Sequence, residues 1–405
     1  MSLLRRLLAL RDERPVFVVV ALVALVAVGT YPVVDWYLRG LGVASRFGFW
    51  DFGAYAAAME RWTAGESLYV PNENGGYHGS YLYPPVALLA FAPFLLLPFR
   101  PAVLLWTAVT VCLCWLAIQR LVTALGISLR PWERLGILPL VVGFHPLLLS
   151  VKLGQTAAAL GALLTFAAST SLRGRSYLSG ALTACCGVIK LPYAPAGTHL
   201  LGDRDRFLGA VAGGVGLVLV SVLAFGVGTH RTFLDVLAWG ISEGSSARSP
   251  RIWLPPYYRP FYGVSHSLAL RIAASLAIVG GVLRAEDAVR EVTALGFAAV
   301  PLLAPLTYAY YFVAALPAVV LLVAAELDRP DGRPTIPVVG LLLLQFHSYG
   351  LRELGTVAPE WLPAVLLQPG LYGNLLLVGL AGARVAAAGG SLSVRGVTSV
   401  GRRGD

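Results

Sequence analysis

Hydrophobic residues in this chain come in long unbroken runs rather than in alternation. The stretch Val16–Val34 (VFVVVALVALVAVGTYPVV) is apolar almost throughout, the pattern of a helix surrounded by hydrocarbon rather than of a half-buried strand. Further runs cover about 84–97, 101–119, 135–149, 156–171, 177–190, 191–201, 207–227, 267–283, 292–305, 308–325, 335–347 and 363–383. Backbone amides inside a bilayer must bond to one another, so the expected fold is all-α, a polytopic transmembrane bundle of about 11–13 segments. Two of these are expected to re-enter rather than cross. Segment 84–97 is short and holds Pro84, Pro85 and Pro93, with Pro98 at its end, while 191–201 follows a proline corner directly. Residues 1–383 are therefore read as a single membrane domain with two long polar loops, 35–81 and 228–266. Residues 384–405 are read as a disordered tail.

Composition strengthens that picture. Of 405 residues 57% are hydrophobic and only 13% charged, against about a quarter charged in soluble domains. A water-soluble enzyme is excluded. The net charge of +10 comes from arginines flanking apolar segments, so nucleic acid is not expected as a partner, and the charges set orientation instead. With Arg5, Arg6, Arg11 and Arg14 in the cytoplasm, and 84–97 dipping in and returning, the clusters Arg120/Arg130/Arg134, Arg173/Arg175, Arg284/Arg290 and Arg329/Arg333 also fall inside. Both termini are then cytoplasmic, and loops 35–81 and 228–266 face outward from a cell membrane. The four cysteines, Cys112, Cys114, Cys185 and Cys186, lie inside apolar segments and suggest neither a disulfide framework nor a metal site. The chain has no P-loop, no GxGxxG after a strand, no HExxH and no GxSxG. No cofactor and no metal are expected.

Candidate chemistry gathers on the outer loops. In WDFGAYAAAMERWTAGESLY (50–69) the residues Phe52, Tyr55, Met59 and Trp62 recur at helical spacing, predicting a helix flat on the membrane with Trp50 and Trp62 as anchors. Asp51 at its start is either a helix cap or a base at the edge of a cavity. Tyr81 and Tyr83 are interfacial aromatics or pocket walls. Gln155, in VKLGQTA, is a ligand or a helix end. Lys190, in CCGVIKLPYAP, either snorkels to the interface or binds a phosphate. The loop EGSSARSPRIWLPPYYRPFYGVSH (243–266) sets Arg248, Arg251 and Arg259 among Trp253, Tyr257, Tyr258, Phe261 and Tyr262, with His266 at its end. Three arginines on the outer side run against the usual charge bias and suggest an anionic ligand. Tyr308, Tyr310, Tyr311, His347 and Tyr349 extend the same rim. These residues fit a membrane transferase, but a lipid or solute transporter or flippase, or a non-catalytic envelope-assembly protein, is also compatible with them.

The order of motifs narrows the choice. W-D-F-x-x-Y after the first span, then Y-x-Y-P-P, L-G-Q and the I-K-L-P corner resembles glycosyltransferase family 87, most specifically over residues 50–206. The resemblance implies a GT-C-type helix bundle that moves a hexose, with mannose expected, from a polyprenyl-phosphate sugar to a lipid or glycan acceptor at the extracytoplasmic face. The family includes actinobacterial mannosyltransferases that extend phosphatidylinositol mannosides. One direct displacement is expected to invert the anomeric centre, and no metal is expected because no carboxylate pair has metal-ligand spacing. By that likeness Asp51 is the catalytic base. Lys190 matches the family's lysine before its proline corner, and Tyr55, Tyr83 and Gln155 match family positions beside the substrate. From the chemistry of the second loop, Arg251 and Arg259 are expected to join Lys190 on the donor phosphate, and Tyr257, Tyr258 and His266 to join the substrate site. The family pattern Gly-Gln-x-Asn meets Gly154 and Gln155, but its asparagine is Ala157 here. The family's downstream Asn-Gln-Ser element has no counterpart near 259–268.

Overall fold

A computed structural model describes residues 3–73, 76–78, 81–243, 257–285, 288–304 and 307–400. The chain is an all-α polytopic membrane bundle, 77% helical. Its helices are α1 (Leu3–Ala9), α2 (Pro15–Gly40), α3 (Trp50–Thr63), α4 (Phe99–Ala124), α5 (Pro131–Gly143), α6 (His145–Leu153), α7 (Ala157–Leu172) and α8 (Ser176–Ile189). There follow α9 (Arg204–Glu243), α10 (Ser267–Val282), α11 (Val289–Leu303), α12 (Ala315–Leu327), α13 (Thr335–Gln345), α14 (His347–Val357) and α15 (Pro369–Val400). Among the described residues five stretches, in α2, α4, α9, α15 and the segment Ala309–Leu327, are individually long and apolar enough to cross a membrane. The central helix α11 is buried from Glu291 to Leu303, so it meets protein on every side.

Prolines decide where the apolar runs break. Segment 84–97 forms two short 3-10 helices, Pro85–Ala90 and Phe94–Leu96. At about 2 Å per residue neither reaches across hydrocarbon. The run 135–149 is not one helix: Pro146 and the extended Phe144 break it, and α5 and α6 meet at 68°. Residues 191–202 form a 3-10 helix that follows directly on Lys190 and returns to the level where α8 began. There the Ser176 hydroxyl donates to Asp203 Oδ2 at 3.1 Å. Gly226, at φ 76°, kinks α9. No proline follows Pro369 in the sequence, and α15 runs from Pro369 to Val400.

Arginine side chains gather at the end of the bundle remote from α3. Glu326 is fully buried and accepts from Arg384 Nε and Nη2, both at 2.7 Å, and from the Arg333 amide at 2.6 Å. Arg14 donates to the carbonyls of Arg329 (2.6 Å) and Gly332 (2.8 Å). The start of α2, the end of α12 and the middle of α15 are thereby latched together. Without a strong hydrophobic force between helices in lipid, close approach comes from small residues, and α8 against α9 is the clearest case. A Cβ on Gly180 would sit 1.9 Å from the Arg206 carbonyl oxygen, and one on Gly209 2.1 Å from that of Tyr177.

Gly180→Ala should therefore lower the melting temperature of the detergent-solubilised protein by the equivalent of about 1–3 kcal/mol of overpacking. Gly216→Ala, where a Cβ meets nothing within 4 Å, should not. Equal melting of the two variants would contradict this packing.

Candidate active site

The loop before α3 is tied down by the end of α6. The Gly48 and Phe49 amides both donate to the Lys152 carbonyl, at 3.2 and 2.9 Å. Lys152 itself is buried, its Nζ donating to Asp35 Oδ1 at 2.5 Å while Arg39 Nε donates to Asp35 Oδ2 at 2.9 Å. The end of α2 is thus fastened to the end of α6. Gly154 closes α6 in the left-handed region (φ 70°), and a Cβ there would lie 2.6 Å from Phe52 Cβ. Only glycine lets the first turn of α3 rest so closely on the α6–α7 turn.

That contact sets Asp51 opposite Gln155, whose Nε2 donates to Asp51 Oδ2 at 3.0 Å. Asp51 is not the cap of α3. The cap position is Phe49, left-handed at φ 52°, and Asp51 is the second helical residue. Its carboxylate still faces the favourable end of the helix dipole. Among the described residues Oδ1 has no hydrogen bond. The apolar face of α3 packs into the protein rather than onto lipid: Phe52, Tyr55 and Ala58 are buried, and Trp62 lies 5.0 Å from the ring of Phe225. Trp50, by contrast, is exposed.

Gln155 is the hub of the cluster and almost fully buried. Its Oε1 accepts from the Tyr55 hydroxyl (2.8 Å), the Thr156 amide (2.7 Å) and the Thr156 hydroxyl (2.8 Å). The Tyr83 hydroxyl touches both ends of the amide, 2.9 Å from Nε2 and 3.2 Å from Oε1. A carboxylate accepts only and a backbone N–H donates only, so these partners fix which way the amide points. The polar atoms of Gln155 are thus engaged inside the protein, with one end of the amide held on Asp51.

Lys190 is buried where α8 gives way to the 3-10 helix. It does not snorkel. Its Nζ donates to the Tyr83 hydroxyl at 3.2 Å and lies 5.0, 5.0 and 4.8 Å from the ring centres of Tyr83, Tyr310 and Tyr311. Among the described residues it has no ion pair. Tyr83 therefore bridges Lys190 and Gln155, and through Gln155 reaches Asp51. Tyr81 turns away, its hydroxyl donating to the Pro84 carbonyl at 2.8 Å.

From Lys190 a ladder of rings runs toward the second outer loop. Tyr311, Tyr310, Tyr308 and Tyr257 follow one another at centroid separations of 5.3, 5.2 and 5.1 Å. Tyr257 and Tyr258 pair antiparallel with Tyr308 and Thr307 in two short strands. His347 Nδ1 accepts from the Gly370 amide, which leaves Nε2 to donate to the Tyr257 carbonyl at 2.9 Å. The Gln368 side chain bonds the Arg259 amide (2.7 Å) and carbonyl (2.8 Å). Arg259 lies over the Tyr257 ring at 5.9 Å.

The other expected site residues lie elsewhere. Tyr258 is core, fully buried against Phe312 and His347, its hydroxyl donating to Asn374. His266 is exposed at the left-handed start of α10, apart from the cluster. Arg251, with Arg248 and Trp253, falls outside the described residues.

The model of glycosyltransferase family 87 matches residues 81–307, more than half of the chain. This chain belongs to glycosyltransferase family 87. No curated protein and no solved structure matches it. The matched range holds Tyr83, Gln155, Lys190 and Thr307, and Asp51 and Tyr55 precede it. The transporter and assembly-partner readings give way to a membrane glycosyltransferase.

In this family 87 glycosyltransferase the Asp51 pKa is raised above the ordinary carboxylate value, first by burial, with the charge of Lys190 and the Gln155 hydrogen bond pulling the other way. Several members of the cluster escaped notice in the sequence: Lys152 as the partner of Asp35, Thr156, and Gln368 as a clamp. One signal was available for the first, since Lys152 and Lys190 are the two lysines in a chain of 31 basic residues.

An Asp pKa raised by folding contributes stability below its unfolded value, and that contribution is lost as pH rises through the folded value. Ionised Asp51 is thus a cost at neutral pH. Asp51→Asn should leave the melting temperature at pH 7 unchanged or higher. Gln155→Leu strands buried donors at about 1–3 kcal/mol each and should lower it. A drop for Asp51→Asn as large as that for Gln155→Leu would contradict the assigned roles.

Proposed function

We propose that this membrane glycosyltransferase transfers a hexose, with mannose the first candidate, from a polyprenyl-phosphate sugar to a hydroxyl of a lipid or glycan acceptor at the extracytoplasmic face. The observation that carries the reading is the link Asp51–Gln155–Tyr83–Lys190. A half-buried carboxylate stands in the same polar cluster as a buried lysine, and among the described residues one oxygen of the first has no hydrogen bond and the second has no ion pair. Orientation follows from charge: the latch of Arg14, Arg329, Arg333 and Arg384 suits the cytoplasmic side, and α2 carries the chain from Arg14 to the opposite end, where Asp35 meets Lys152.

Asp51 accepts the proton of the acceptor hydroxyl as its oxygen attacks the anomeric carbon. The new glycosidic C–O bond forms while the bond from C1 to the phosphate oxygen breaks, and polyprenyl phosphate leaves with the electron pair. One direct displacement through an oxocarbenium-like transition state inverts the anomeric centre. The leaving phosphate gains negative charge, which Lys190 offsets. In a dry site a preorganised cation is worth about 3 kcal/mol or more. Arg259, at the far end of the tyrosine ladder, is a further candidate for the same phosphate. The rings of Tyr257, Tyr308 and Tyr310 offer flat apolar surfaces to a sugar.

The test is transfer from labelled polyprenyl-phosphate mannose and polyprenyl-phosphate glucose to lipid extract by the purified protein. Asp51→Asn should abolish product while donor binding persists. Lys190→Ala should lower turnover by about 100-fold or more. Wild-type turnover in either variant would remove the corresponding role. Because the Asp51 pKa is raised and its ionised form is the base, activity should fall as pH drops, along a limb above the ordinary carboxylate range. A limb at or below that range would contradict Asp51 as the base.

A further inference from the structure

Beside the reaction cluster, at the end of α2, lies an open groove of about 540 Å³ lined by Trp36, Tyr37, Arg39, Gly40, Leu41, Arg46 and Phe47. Proposed catalysis uses none of these residues. Their chemistry is unusual for a surface: Trp36 and Tyr37 are 67% and 60% exposed, and Leu41 and Phe47 are exposed beside them. The groove is also built rather than loose. The Val43 and Ala44 amides fold back onto the Leu38 carbonyl at 2.9 and 3.2 Å. Arg39 lies 5.0 Å over the Phe47 ring, and that ring packs 5.9 Å from Phe49.

Charge decides what such a groove suits. Among the described residues Asp35 is the one carboxylate bonded to this region, and it is shared by Lys152 and Arg39. Arg46 is exposed and, among the described residues, has neither ion pair nor hydrogen bond. Two arginines therefore line the groove with no acidic residue in its wall. Their positive charge exceeds what Asp35 can neutralise. Exposed tryptophan and tyrosine sit at headgroup depth in membrane proteins, and the groove lies at the end of a helix long enough to span the bilayer.

We infer that this groove binds the headgroup of an anionic diacyl phospholipid from the surrounding leaflet. The phosphate lies between Arg39 and Arg46, with the upper acyl carbons against Trp36, Tyr37 and Phe47. The connection to chemistry is short. Phe47 is followed by Gly48 and Phe49, whose amides hold the Lys152 carbonyl, and Asp51 is two residues further on. A lipid seated here would steady the loop that presents the carboxylate. Binding requires no turnover, so the inference stands or falls separately from the proposed glycosyl transfer.

The experiment is titration of the full-length purified protein with dioleoyl phosphatidylglycerol or dioleoyl phosphatidylcholine, with bound lipid counted by native mass spectrometry. Each surface arginine adds about five-fold to the affinity for anionic lipid, so the wild type should prefer phosphatidylglycerol by at least that factor. Arg46→Glu and Arg46→Gln change an exposed side chain, and both should erase most of the preference; Arg46→Lys should retain it. Glycerol phosphate at matched concentration should not displace the lipid. Equal binding of the two lipids to the wild type would overturn the inference, as would a preference that survives Arg46→Glu. Full displacement by glycerol phosphate would mark a simple anion site and overturn it too.

Discussion

A carboxylate at the edge of a low-dielectric bundle needs a donor, and in this chain a single buried carboxamide supplies it. Gln155 bonds Asp51 with one end and Tyr55 and Thr156 with the other. Partly satisfied polar networks in such surroundings are costly, which ties the positions of α3, the 84–97 segment and the α6–α7 turn to one another. Remove the amide and Asp51 loses its fixed direction; move any of the three elements and the amide loses a partner. The cation of the cluster is treated differently. Among the described residues Lys190 is surrounded by tyrosine rings and has no ion pair with a carboxylate.

The backbone features that look like defects are what make this arrangement fit. Gly154 in the left-handed region lets Phe52 press onto the turn. Prolines at 84, 85, 93 and 98 keep the 84–97 segment from becoming a membrane helix, and it delivers Tyr83 to the cluster instead. Pro192 ends α8 beside Lys190. Broken helices inside a membrane protein are tolerated where protein surrounds them and their polar groups are met. Here the breaks converge on one end of the bundle. The opposite end is closed by the Glu326 latch, where an ion pair fastens helices instead of chemistry.

Much of this was legible in the residues. Continuous apolar runs dictate membrane helices, and proline spacing marked 84–97 and 191–201 as unlike the others. Asp51, Tyr55, Tyr83, Gln155 and Lys190 stood out as polar or hydroxyl groups beside apolar runs, and the structure brings all five together. Other features depend on contacts that no local pattern reveals. The helical spacing of Phe52, Tyr55 and Met59 describes an apolar face equally well whether lipid or protein covers it. Tyr257 and Tyr258 are neighbours in sequence, yet strand alternation sends one to the ladder and the other to the core. The partners of Gln155 come from segments 72 and 104 residues away, which no local pattern shows. Gln368 gave no signal at all.

What most needs seeing is the donor in place. A cryo-EM structure of the full-length protein with a non-hydrolysable polyprenyl-phosphate sugar would test the account directly. The expected result is a phosphate oxygen about 3 Å from Lys190 Nζ, the anomeric carbon facing the free oxygen of Asp51, and Gln155 still holding the other. A sugar phosphate bound away from Lys190, with Asp51 and Lys190 on different walls of separate cavities, would contradict it.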